Sequence, residues 1–191
     1  MIIKKPNIIE LLNSVWSISS NDPNDDFRFV VTLDTYHKSI LNQMIADKYF
    51  IGELDRQYHK SEMCLMYAVY TAMSDCNNII CLKYKDACTK KMMWERLYNR
   101  INNLMIVKSF TKDRIEFWTG SVIEFNLSSS TTHLIIDDAA YFPGDVLKNI
   151  LEDTPDFCEI KILTSEYKEN EVYENLTKEK KYTYFRHHIQ G

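Results

Sequence analysis

The chain has 191 residues, 45% hydrophobic and 26% charged, which supports one folded core and excludes a disordered or low-complexity protein. A net charge of -4 and a pI near 5.7 exclude a globally basic nucleic-acid binder, although "TKEKKYTYFRHH" is locally basic and "NDPNDD" locally acidic. Cys64, Cys76, Cys81, Cys88 and Cys158 show no metal-binding spacing and read as reduced core residues, "MIIKKPN" lacks the apolar run expected of a signal peptide, and no uncharged stretch approaches membrane length.

The elements follow in chain order. "PNIIELLNSVWSI" has apolar residues at helical spacing, and "SSNDPNDD" reads as a loop. "FRFVVTL" is extended. "DTYHKSILNQMIADK" is a helix with Asp34 or Thr35 as its cap. "YFIGEL" is a short apolar strand. The loop "DRQYH" leads into "KSEMCLMYAVYTAMSD", a helix apolar on nearly every side, including Tyr67 and Tyr70. "NIICLK" is a buried strand, and "KDACTKKMMWERLYNRINN" is an amphipathic helix whose basic residues read as a solvated face. "LMIVKSF" is a strand. "RIEFWTGSVIEF" is a hairpin turning at Thr119 and Gly120. "THLIIDDAA" is a buried strand ending in two acids, and "PGDVLKNILED" is a helix. "FCEIKILTS" is an apolar strand, "NEVYENLTKE" a helix, and "KYTYFRHH" an edge strand. His187 and His188 belong to that strand rather than to a metal site. Strands alternating with helices predict an α/β fold with a mainly parallel sheet and the ligand at the carboxyl ends of the strands.

Two strand ends carry candidate chemistry. In a phosphate-binding loop, backbone N–H groups and a helix N-terminus surround the phosphates. A lysine neutralises phosphate charge, and a Ser or Thr hydroxyl reaches Mg²⁺. Lys60 and Ser61 fit those roles, although Lys-Ser alone more often merely begins a helix. The strand "HLIIDD" ends where a P-loop ATPase places a metal-binding carboxylate, Asp137, and a water-orienting one, Asp138. Alone, this pair equally suits a strand followed by a helix cap. Their order along the chain, with Thr164-Ser165 ending a later strand, strengthens both.

With those motifs in order, the chain resembles the ATPase domain of the large terminase subunit, the DNA-packaging motor of tailed bacteriophages. "LDTYHKSILNQM" is similar to that family's aromatic-Gln adenine-binding helix, with Tyr36 at the aromatic. "LDRQYHKS" is similar to its phosphate loop of the form Arg-Gln-x-Gly-Lys-Ser/Thr. "LIIDDAAYFP" is similar to its acid strand end, and "KILTSEYKENEVYENL" to its Thr-rich coupling motif. The hairpin also matches in place, and the resemblance spans roughly residues 27 to 186.

The resemblance implies a three-layer P-loop domain over 27–191, preceded by a helix and loop over 1–26. It implies ATP and Mg²⁺ as cofactors. Lys60 and Ser61 would hold the phosphates, with Ser61 and Asp137 on the metal and Asp138 orienting water. Arg56 would stabilise transferred charge, although an exposed loop residue is an equal reading. Tyr36, His37, Gln57 and Thr164 would complete the nucleotide site. It also implies double-stranded DNA, a viral portal or other terminase subunits as partners, a homo-oligomeric ring, and the reducing cytoplasm of an infected host cell rather than secretion or a membrane. No acidic cluster suits a two-metal nuclease.

The departures fall at ligand-facing positions. His59 replaces the glycine that approaches phosphate, so the backbone there must adopt unusual angles and the imidazole must point away. His37 replaces an amide that makes paired contacts to a base. Asp138 replaces a glutamate and is one methylene shorter. Three readings follow: a terminase-like ATPase with a divergent site, a catalytically inactive terminase-like domain used for binding or regulation, or an unrelated α/β nucleotide-binding protein. The third calls for a strand order in which the Lys60 strand is not next to the Asp137 strand.

Overall fold

The structure is a computed structural model that describes residues 35–55, 59–102, 104–165 and 170–187. The expected helix over 6–18, the strand over 27–33, and residues Asp34, Arg56, Gln57 and His188 lie outside the described residues. The described elements begin with α1 (Thr35–Ala46), β1 (Tyr49–Leu54), α2 (Lys60–Ser74), β2 (Ile79–Tyr84) and α3 (Ala87–Ile101). An antiparallel trio follows: β3 (Val107–Phe110), β4 (Arg114–Phe117) and β5 (Val122–Glu124). Then come β6 (His133–Asp137), a 3-10 turn (Ala139–Tyr141), α4 (Gly144–Glu152), β7 (Glu159–Thr164), α5 (Glu171–Lys178) and β8 (Thr183–His187).

Local chemistry explains several boundaries. The Asp86 carboxylate accepts from the Thr89 backbone N–H at 2.7 Å and starts α3. Asn170 does the same for α5, accepting from the Tyr173 N–H at 3.1 Å. Between β4 and β5 the chain turns at Gly120, whose φ is +82°. A Cβ there would lie 2.4 Å from the Asn77 side-chain oxygen, so only glycine fits the turn.

The eight strands form one sheet in the order β3-β4-β5-β2-β6-β7-β1-β8. From β5 to β8 all neighbours are parallel, and β4 alone runs antiparallel to both of its neighbours. Helices α1, α2 and α3 cover one face, where Leu41, Leu65 and Leu97 pack with Phe50, Ile80 and Ile135. Helices α4 and α5 cover the other, where Leu147 and Leu176 pack with Ile51, Ile136 and Ile162. Each such side chain contributes about 1.5–3 kcal/mol by burial. From Glu62 to Ala72 every residue of α2 is buried, which is why that helix is apolar all round. Cys64, Cys81 and Cys158 are core residues as expected, whereas Cys76 and Cys88 are exposed.

β7 lies between the Lys60 strand, β1, and the Asp137 strand, β6. Adjacency of those two strands is therefore not met. Two inter-strand spacings separate them, roughly 10 Å. Helix α2 spans that gap because it leaves β1 and crosses back over the sheet to enter β2, beyond both β7 and β6. The connection from β7 instead leaves through α5 on the opposite face. β1 and β7 are neighbours whose connections diverge, so a crevice opens at their carboxyl ends. Among the described residues, no helix is long and apolar enough to cross a membrane.

Candidate functional site

A cleft of about 530 Å³ occupies that crevice, within the size range of small-ligand pockets. His59, Lys60, Ser61 and Glu62 line it from the start of α2, and Lys85 from the end of β2. Asp138 and Tyr141 follow β6, Ser165 follows β7, and Arg96 reaches in from α3.

His59 precedes α2 with φ 48° and ψ 35°, in the left-handed region. The position where the phosphate-loop pattern has glycine thus keeps a glycine-like backbone, at a cost of about 1–2 kcal/mol for a side-chain-bearing residue. The imidazole is exposed, and its centroid lies 6.2 Å from that of the buried His37 on α1. Lys60 is buried, and its ammonium donates to the Asp55 carbonyl at 3.0 Å, tying the two ends of the loop together. Burial lowers its pKa, an effect that Asp138 and Asp137 oppose.

Asp137 ends β6 on the face covered by α2, and it is 2% exposed. Both carboxylate oxygens are buried, and among the described residues neither has a hydrogen-bond partner of good geometry. The Ser61 hydroxyl lies near enough to favour the charged form without satisfying it. Burial first, and Asp138 second among the raising influences, push the Asp137 pKa up to about 7. A buried, unsatisfied carboxylate costs free energy unless a cation or proton completes it.

Asp138 also has a left-handed backbone, with φ 57° and ψ 42°. The surrounding structure fixes that conformation. The Asp138 N–H donates to the Leu163 carbonyl at 2.7 Å, and the Ala140 N–H donates to the Thr164 hydroxyl at 3.2 Å. Asn170 donates from below to the Phe142 carbonyl at 2.8 Å. Thr164 is fully buried and holds the turn that carries Asp138, while its neighbour Ser165 lines the cleft.

Lys60, Ser61, Asp137 and Asp138 are therefore brought together, with Thr164 supporting them. Tyr36 and His37 sit at the start of α1, where Tyr36 packs against Phe185 with centroids 5.9 Å apart. Sequence reasoning missed Lys85, Arg96, Glu62 and Tyr141. Lys85 pairs with Asp138 at 3.2 Å and lies 4.9 Å from the Tyr141 ring centroid. Arg96 and Arg100, expected on a solvated face, turn instead to Glu62, at 3.5 and 3.7 Å. The one available signal was position, because Lys85 is the single residue between strand β2 and the Asp86 cap of α3.

No protein-family model and no curated protein sequence matches the chain. Solved structures do. A point mutant of the large terminase ATPase domain of Thermus phage P74-26 superposes with a TM-score of 0.59 at 13% identity, covering 75% of this chain and 79% of that one. A second structure of that domain gives 0.56 at 12% identity, covering 75% and 78%. The fold is that of a large terminase ATPase domain. The interposed β7 is the strand order that the unrelated α/β reading called for, while the overall architecture is that of the terminase ATPase domain. Among the described residues no group of three or more His, Cys, Asp or Glu side chains could hold a metal ion. Mg²⁺ does not need such a cage, since it is bound through one or two carboxylates together with substrate phosphates and waters.

Proposed function

We propose that this chain is a terminase-like ATPase module associated with packaging of viral double-stranded DNA, with a divergent nucleotide site. The observation that carries this reading is Asp137: a buried carboxylate set opposite the helix start that bears Lys60 and Ser61, with only the Ser61 hydroxyl beside it among the described residues and in no hydrogen bond of good geometry. That arrangement fits MgATP. Lys60 and the N-terminus of α2 would hold the phosphates. Ser61 and Asp137 would hold Mg²⁺, which supplies neutralisation of phosphate charge when bound. Asp138, locked in its left-handed turn, would orient water. Double-stranded DNA, a portal or other terminase subunits, and a homo-oligomeric ring are the partners this reading proposes.

The second reading is a catalytically inactive terminase-like domain that binds or regulates a partner. Two observations favour it: the His59 side chain on the cleft, and the Lys85 ammonium that neutralises Asp138. Steady-state ATP hydrolysis, with and without double-stranded DNA, separates the two. The ATPase reading expects turnover that DNA stimulates and that Asp138→Asn lowers by at least about a hundredfold, the scale on which a displaced catalytic group costs rate. Turnover indistinguishable between the native chain and Asp138→Asn rules that reading out.

A further inference from the structure

We propose that Glu53 and Tyr173 are positioning residues for the cleft. The first turn of α5 clamps the strand ends that carry Lys60 and Asp138, gripping β1 through Tyr173 and Glu53 and the turn after β6 through Asn170. This rests on the nucleotide reading of the cleft. The strand order creates the need for a clamp. Because β7 lies between β1 and β6, no ladder joins the Lys60 strand directly to the Asp137 strand. On one face of the sheet α2 bridges that gap, and on the other face the start of α5 does.

Glu53 stands near the end of β1, just before the Asp55 carbonyl that holds the Lys60 ammonium. It shares the strand face of Ile51, turned toward α4 and α5, whereas Phe50 and Leu54 turn toward α2. Its buried carboxylate accepts from the Tyr173 and Tyr184 hydroxyls at 3.1 and 2.8 Å and faces the Arg186 guanidinium at 2.9 Å. Tyr173 is buried as well, and burial followed by the Glu53 charge raises its pKa, so its hydroxyl stays protonated and donates. At the cap of the same turn, Asn170 donates to the Phe142 and Ala140 carbonyls at 2.8 and 3.4 Å and accepts from the Tyr173 N–H at 3.1 Å. Ala140 and Asp138 belong to one short turn, which Thr164 and Leu163 fix to β7. Neither Glu53 nor Tyr173 lines the cleft, so both act through what they hold. A buried carboxylate tolerates the loss of a donor poorly, and removing the Tyr173 hydroxyl therefore loosens the grip on β1.

The test combines amide hydrogen exchange of the nucleotide-free chain with steady-state MgATP hydrolysis. Native protein is compared with Tyr173→Phe, Glu53→Gln and the double variant. Ile160→Val is the destabilising control, because Ile160 is buried in the same cluster near the amino end of β7. Tyr173→Phe should exchange about tenfold faster at the Asp138 and Ala140 N–H groups. Its kcat should fall about tenfold or more with KM within about twofold, since the phosphate loop is kept and the water-orienting acid is displaced. Glu53→Gln keeps an acceptor for the hydroxyls and should lose less. The double variant should be no worse than Tyr173→Phe, because the two residues act as one contact. Ile160→Val should melt lower yet stay near native in kcat and in exchange at both amides. Unchanged exchange in Tyr173→Phe would overturn the proposal, as would additive losses in the double variant or equal losses in Ile160→Val. A native chain that does not hydrolyse MgATP would refute the ATPase reading itself, and this proposal with it.

Discussion

Replacing His59 by glycine tests the left-handed loop end directly. His59 is exposed, so truncating its side chain removes little packing, and the backbone at φ 48° dominates the outcome. A side-chain-bearing residue there costs about 1–2 kcal/mol. Glycine removes that cost but gives the unfolded chain extra freedom worth about 0.4–1 kcal/mol. The net expectation is that His59→Gly is more stable than His59→Ala by roughly 1 kcal/mol, since alanine keeps the strain and glycine does not. For a chain of this length, that is about 2–4 °C in melting temperature. Thermal and urea melts of the native chain and both variants, at one pH, provide the readout. In an ordinary helical backbone the order reverses, because glycine there costs about 1 kcal/mol relative to alanine. His59→Gly melting several degrees below His59→Ala would therefore refute the left-handed assignment.

The Asp137 pKa near 7 makes a second prediction, with measurements in EDTA. The folded state binds this proton more tightly than the unfolded chain, whose ordinary value is 3.8, so Asp137 lowers stability as pH rises through that window. Asp137→Asn should thus be the more stable protein at pH 8, and its advantage should shrink steadily toward pH 4; a difference independent of pH in urea melts would contradict the buried, raised carboxylate. At the far end of the sheet, Lys161 is fully buried and donates to the Asp47 carbonyl and to Glu159, the latter at 3.0 Å. Lys161→Ala should cost about 3 kcal/mol, from the cavity left by its buried stem together with the unmatched groups, and Lys161→Met should cost less because it restores the packing although not the donor. Melting temperatures check the order, and a neutral Lys161→Ala would show that the network contributes nothing.

What was legible in the sequence was local. The all-round apolar pattern of α2, the Thr119-Gly120 hairpin and the helix within "NEVYENLTKE" are each decided by neighbours within a few residues, and each stands where the pattern puts it. The His59 backbone was also legible, because a known steric demand met a residue type that resists it. Strand order was not, since the placement of β7 between β1 and β6 depends on where two crossovers land, which periodicity does not encode. Long charged side chains were the other gap. Lys161 sits inside "EIKIL" and reads as an ordinary strand residue, yet the carbonyls at the end of α1 make its full burial possible. Lys85, Arg96 and Glu62 likewise acquire their roles from partners distant in sequence, so residue type and spacing were silent about them.

The most direct test of the central claim is calorimetric titration of the native chain with MgATP beside Lys60→Ala and His59→Gly. A phosphate site at the start of α2 predicts saturable binding in the native chain, loss of about a hundredfold or more in Lys60→Ala, and tighter binding in His59→Gly, where the backbone angle is kept and the imidazole removed. Equal MgATP affinity in the native chain and Lys60→Ala would contradict it, as would a complete lack of binding in both the native chain and His59→Gly.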